Sequence, residues 1–150
     1  MCVSILLSIF WGGVEDMGLK KIMPSATSIC VYENGDLYEY LQGSEEYTNI
    51  MNTFLEMIKV AREMPAFGVS LHNETIEAKK NGWWIEFQFN ETKVHNEMPF
   101  DSLLICVEKD YMGFNLIRKH NDMYEGRCFY VDLVEKDMSE LLTCLENVKR

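Results

Sequence analysis

The chain predicts an α+β fold. It would have a single antiparallel, meandering β-sheet, an amphipathic helix after the first hairpin, and a C-terminal helix packed on one face. Three observations carry this reading. After Asn81-Gly82, Trp83, Ile85, Phe87 and Phe89 alternate with Trp84, Glu86, Gln88 and Asn90, the period of a strand that covers a core on one side. Asn34-Gly35 sits between two apolar-alternating runs, the dipeptide that a two-residue hairpin turn requires. Finally, Tyr47, Ile50, Met51, Phe54, Leu55 and Ile58, and later Met138, Leu141, Leu142, Leu145 and Val148, recur at helical spacing.

Taken in order, Cys2 to Trp11 form an apolar run too short to span a bilayer. It lacks the basic start and small-residue cleavage site of a signal peptide. It reads either as a strand or short helix on the domain, or as the tail of a signal or anchor whose start lies upstream. Gly12 to Ser28 reads as a connector, so residues 1–28 form an N-terminal run with its connector, and residues 29–150 a single domain.

Ile29–Tyr32 and Leu37–Leu41 are the first hairpin, with Val31 opposite Tyr38 and Ile29 opposite Tyr40. Ser44 is a good N-cap, Glu45 and Glu46 suit a first turn, and Pro65 predicts a helix end near Met64. Lys59 and Arg62 would then complement the dipole of its last turns. Phe67 to His72 reads as a strand. The residues before Asn81-Gly82 read as the mate of the strand after it, with Ala78 opposite Ile85 and Ile76 opposite Phe87. Glu91 to Pro99 reads as a polar turn; Leu103–Val107, Phe114–Arg118 and Arg127–Leu133 read as further strands. Asp137 and Glu140 have the spacing of a capping box for the last helix.

The formal charge is -10, from 24 acids against 14 bases. Such a surface repels a phosphate backbone, so nucleic acid is not an expected partner; a basic protein is the better match. A membrane could be met only through the N-terminal apolar run. The five cysteines are widely and irregularly spaced, mostly in apolar segments, with no CxxC. They read as buried thiols and favour a reducing compartment such as the cytoplasm. A truncated signal would instead make the protein exported or membrane-anchored.

The sequence offers little chemistry. His72, His95 and His120 lie far apart, with no metal-ligand spacing, and no phosphate-binding or hydrolase motif occurs. No catalytic residue, cofactor or metal is expected. Two weaker features remain. If Leu116 pairs with Phe129, Arg118 and Arg127 lie side by side at the loop end of the core face, where carboxylates or a bound anion would have to separate them. Trp84 falls on the face away from the core, where it would either suit a partner surface or be covered by the N-terminal run or the loop after Thr92. The leading expectation is therefore a non-enzymatic binding or protein-interaction module. The alternative is a small enzyme or ligand-binding domain that holds an anionic group with Arg118 and Arg127, with His120 or His95 for proton transfer. Partner and oligomeric state are not legible.

Thiol titration of the denatured, unreduced protein is expected to find most of the five cysteines free. Four locked in disulfides would instead mean an oxidising compartment.

Overall fold

The computed structural model describes residues 18–65 and 68–148. The apolar run 2–11, the start of the connector, and Phe67 at the head of an expected strand lie outside them. At the first turn, Asn34 and Gly35 both take positive φ, 49° and 91°, the geometry that matches the twist of paired strands. It joins β1 (Ser28–Glu33) to β2 (Asp36–Leu41), with Val31 opposite Tyr38 and Ile29 opposite Tyr40 as expected.

Upstream, α1 (Leu19–Ile22) and a 3-10 turn (Met23–Ser25) occupy the predicted connector. Leu19, Met23 and Ala26 are wholly buried in the main core. These residues belong to the domain, whose boundary is therefore earlier than residue 29.

The second helix, α2 (Glu45–Met57), starts where the cap predicts: Ser44 Oγ accepts from Tyr47 N at 3.2 Å. It stops seven residues short of Met64. Ile58 leaves the helical region, and Arg62–Met64 becomes strand β3, paired along β9. Ladder bonds to a sheet edge replace the last helical turns, so Lys59 and Arg62 do not cap the helix.

The largest correction concerns residues 68–82. Only Val69–Ser70 forms a strand, β4, and His72–Ala78 is a helix, α3. The expected pairing of Ile76 and Ala78 with Phe87 and Ile85 does not exist. Two apolar residues two apart fit one turn of a helix as well as a strand. Here Thr75, buried, and Ile76 turn toward the sheet. Asn81-Gly82 ends this helix, with Gly82 at φ 78°. Gly82 also exchanges bonds with the first turn: its N donates to Asn34 Oδ1 and its carbonyl accepts from Asn34 N, both at 2.9 Å.

The strand after it, β5 (Trp83–His95), therefore pairs with β1, with Ile29 opposite Phe87, and on its other side with β6 (Met98–Val107). Residues 91–95 and 98–99, expected in a turn, continue these strands past a register shift between Gln88 and Lys93. The turn itself is Asn96-Glu97, both at positive φ. The extended hairpin bends over the core: Phe100 meets Phe89 and Phe129 at 5.6 and 5.7 Å between centroids. His95 Nε2 lies 2.6 Å from Glu63 Oε1, and Asn96 Nδ2 donates to Glu63 Oε2 at 2.7 Å. These bonds latch the hairpin tip to β3.

The remaining strands are β7 (Gly113–Lys119), β8 (Gly126–Arg127) and β9 (Phe129–Asp132). The main sheet has the order β2-β1-β5-β6-β7-β9-β3, all neighbours antiparallel, and β4 pairs with β8 in a second, two-stranded sheet. The meander is thus interrupted twice, at β1–β5 and at β9–β3. The last helix, α4 (Ser139–Asn147), begins two residues after Asp137, whose Oδ1 accepts from Ser139 N at 3.0 Å.

The core lies between α2, α4 and one face of the sheet. The Phe54 ring stands 4.7 Å from Phe87 and 6.1 Å from Phe114, and Leu141 and Leu145 close the layer. Phe54→Ala is expected to lower stability by about 3–5 kcal/mol in urea denaturation, as truncations of buried aromatics do. A loss below about 1 kcal/mol would show that this ring does not organise the core.

Candidate functional site

The other face of the sheet is also covered. Alternation sends Trp84 and Glu86 of β5, Leu104 of β6, Ile117 of β7 and Tyr32 of β1 to this outer side. α3 and the loop carrying Tyr124 lie over them, leaving Trp84 8% and Tyr124 1% exposed. Of the two expectations for Trp84, cover is the one found, but it comes from α3 and the Tyr124 loop; its Nε1 donates to Asn81 O at 2.8 Å.

Under this cover sits a carboxylate. Glu86 is 1% exposed. It accepts from Tyr32 Oη at 3.0 Å, Ser102 Oγ at 2.6 Å and Tyr124 Oη at 2.7 Å. Lys79, at the end of α3, donates to Tyr124 Oη at 2.8 Å and lies over the rings of Tyr32 and Tyr124. Burial holds its ammonium below the ordinary lysine value, against the pull of Glu86. A buried charge has to be hydrogen-bonded and faced by an opposite one; Glu86 accepts three hydrogen bonds, and Lys79 is linked to it through Tyr124 Oη. Ser102 is wholly buried, and the network binds the cover to the sheet.

Beside the cover the β6–β7 ladder lapses, although the two strands stay side by side. β6 and β7 pair only at Ser102–Lys119, Leu103–Arg118 and Leu104–Ile117. Beyond that point β6 continues along β5 to Val107, and β7 continues along β9 from Gly113 to Leu116, with no ladder between the two. On the core side Ile105, Val107, Phe114 and Leu116 fill the gap. On the outer side it is a hollow of about 350 Å³ lined by Trp84, Cys106, Tyr111, Asn115, Ile117 and Tyr130. Trp84, Asn115 and Ile117 also line a second hollow of about 260 Å³, whose far wall is β4 and α3, with Val69, Leu71 and Glu74. Together they make one groove across the outer face. Its lining exposes Val69, Leu71 and Tyr111. Gly113 holds one wall in place: a Cβ there would stand 2.9 Å from Val131 O.

The two thiols that line the groove are not activated. Burial, then Glu108, pushes the Cys106 thiol up to about 11, and burial also raises Cys128. Both are protonated at neutral pH and are poor nucleophiles. Cys30, Cys106, Cys128 and Cys144 are free; Cys2 lies outside the described residues. A larger hollow of about 400 Å³ between α2 and α4 is lined by solvated groups such as Glu45, Glu46 and Asn49. The two glutamates there suit a helix N-terminus.

The expected anion site takes a different form. Leu116 does pair with Phe129. Arg118 is buried, however, and is held by backbone carbonyls: Nε donates to Arg127 O at 2.7 Å and Nη1 to Pro99 O at 2.8 Å. Arg127 is exposed, and among the described residues no ion pair joins either guanidinium to a carboxylate. His120 lies in the following turn, with Nδ1 3.4 Å from Asp101 Oδ2. Neither arginine nor His120 lines the groove. His95 is held by Glu63 at the far hairpin tip. No group of three or more His, Cys, Asp or Glu residues among the described ones could hold a metal, and none of their helices is long and apolar enough to cross a membrane.

Comparison with protein families, with curated proteins and with solved structures finds no match to this chain. The site has to be read from its own geometry.

Burial first, then the charge of Glu86, pushes the phenols of Tyr32 and Tyr124 well above their ordinary value of 10.0. A phenol harder to ionise folded than unfolded leaves stability intact below the unfolded pKa. Stability is lost as the pH rises from that value toward the folded one. Burial of Cys30 and Cys106 shifts their thiols from 9.0 to about 11, so the decline begins earlier. Stability against urea is expected to fall from about pH 9, then more steeply above about pH 10, by up to ~1.4 kcal/mol per pH unit for each tyrosine. Tyr124→Phe should remove one tyrosine's share of that slope. An unchanged slope would show that this phenol is not held protonated.

Proposed function

We propose that this protein is a non-enzymatic interaction module that receives a segment of a protein partner in the outer-face groove beside Trp84. The observation that carries the reading is the interruption of the β6–β7 ladder where an apolar hollow opens. The floor is a large aromatic and an isoleucine, Asn115 offers an amide, and the rim exposes three large apolar side chains. That mixture of apolar floor and sparse polar groups is what a recognition surface needs. The thiols beside it are protonated, and the hydroxyls of Tyr32, Ser102 and Tyr124 are committed to Glu86, so binding is the chemistry the groove supports.

The partner is basic. The chain carries a formal charge of -10. Glu74 lines one end of the groove, and Glu108 lies close enough to act on Tyr111 and Cys106 at the other. Such a field speeds encounter with a cationic protein and rejects acidic ones.

A photo-crosslinking side chain placed at Tyr111 or Asn115, in cells that make the protein, is expected to trap one discrete adduct. The same probe at Glu146 on α4 should not trap it. Raising the salt concentration during crosslinking in extracts should weaken the adduct, as screening of a charged encounter requires. Identical adducts from all three positions, or none from the groove, would sink the reading.

A further inference from the structure

We infer that two copies of this chain pair through the outer edge of β2, antiparallel about a two-fold axis at Glu39, so that one sheet runs through both. β2 is the end strand of the main sheet, and among the described residues its one strand neighbour is β1. Gln42 N donates to Thr27 O at 3.0 Å, continuing the register that sets Ser28 opposite Leu41. Antiparallel ladders alternate, so Asp36, Tyr38 and Tyr40 bond to β1, while Leu37, Glu39 and Leu41 turn their backbone groups to the open side. An open strand edge is a template for another chain, and proteins commonly blunt it with lysine, proline or a bulge. None of these interrupts β2. Its side chains instead add apolar surface: Leu37 is 54% and Leu41 64% exposed.

The sequence of the edge selects a second copy as its occupant. Leu37-Tyr38-Glu39-Tyr40-Leu41 reads the same in both directions. With Glu39 opposite Glu39, each Leu37 lies opposite a Leu41 on the outer face, and each Tyr38 opposite a Tyr40 on the core face. A shift by two residues would set leucine against glutamate. The same register brings outward backbone groups together: the two Glu39 residues exchange both bonds, and each Leu41 N meets a Leu37 O. Leu41 O is already engaged, accepting from Ser44 N at 3.0 Å and Ser44 Oγ at 2.7 Å. Like charges directly opposite weaken a pair. Each Glu39 carboxylate is drawn over its own β1, however, where Oε2 accepts from Ser28 Oγ at 3.0 Å and from the Cys30 thiol at 3.9 Å. The dimer is therefore weak, and whatever screens or removes that charge tightens it. Both outer faces lie on the same side of the joined sheet, and β1 and β5 separate this edge from β6, so both grooves stay open.

Sedimentation equilibrium of the full chain, from about 1 µM to about 1 mM, is expected to show a reversible monomer–dimer equilibrium that tightens at high salt. Glu39→Gln removes the like-charge pair at the axis and should tighten the dimer by about fivefold. Leu37→Glu, at an exposed position, should keep the melting temperature of the dilute protein and lose the dimer. As concentration rises, hydrogen exchange at the amides of Glu39 and Leu41 should slow by on the order of tenfold. Exchange at Tyr38 and Tyr40, whose amides already bond to β1, should not change. A protein that stays monomeric throughout, both as wild type and as Glu39→Gln, overturns the proposal. So does a dimer that survives Leu37→Glu or leaves exchange at 39 and 41 unchanged, since it would use another surface. Weakening by salt or by Glu39→Gln would mean that a cation faces Glu39, which overturns the second copy in favour of a basic strand on the same edge.

Discussion

A carboxylate in the middle of a sheet that is covered on both sides has to be satisfied from within the protein, and much of the outer layer follows from that requirement. Glu86 takes hydroxyls from three different elements: Tyr32 on β1, Ser102 on β6 and Tyr124 on the loop after β7. Lys79 brings the opposite charge from the end of α3. Losing either the loop or the helix would leave a buried charge short of partners, which costs several kcal/mol. The network therefore fixes where α3 lies, and α3 in turn buries Trp84 and forms one wall of the groove.

The two faces of the sheet are stabilised differently. The face under α2 and α4 is held by apolar packing, with the Phe54 ring against both Phe87 and Phe114. That layer tolerates conservative exchange of shape for shape. The outer face is held by directional bonds to a charge, which tolerate little displacement. The groove lies where neither system reaches: past the last β6–β7 pair and beside the helix that the network anchors. A gap in a ladder at this place is stable because Ile105, Val107, Phe114 and Leu116 still meet on the core side.

Closure of the core has its own device. The β5–β6 hairpin runs past the sheet, bends at the shift after Gln88, and is latched to β3 through His95, Asn96 and Glu63. β3 itself exists because Arg62–Met64 leaves the helix to pair with β9. The early helix end and the long hairpin are thus two parts of one arrangement that joins the distant edge to the tip.

The sequence by itself determined what depends on neighbours along the chain. The Asn34-Gly35 turn with its register, the Ser44 cap, the apolar stripe of α2, the core face of β5 and the Leu116–Phe129 pairing are all local or set by alternation. Tertiary structure alone decided what lies over the outer face. Glu86 and Gln88 have the polar alternation of a solvated side, and only the unbroken apolar run Leu103–Val107 hinted that both sides are buried. The short Ile76–Ala78 pattern fitted strand and helix alike, and β1, which lies far away in sequence, occupied the place on β5 that a hairpin mate would have taken. Likewise Arg118 meets carbonyls in place of carboxylates, because burial beside Pro99 and Arg127 puts backbone within reach and acids out of it. Local rules specify which way a side chain points; what it finds there is set by segments that arrive from elsewhere in the chain.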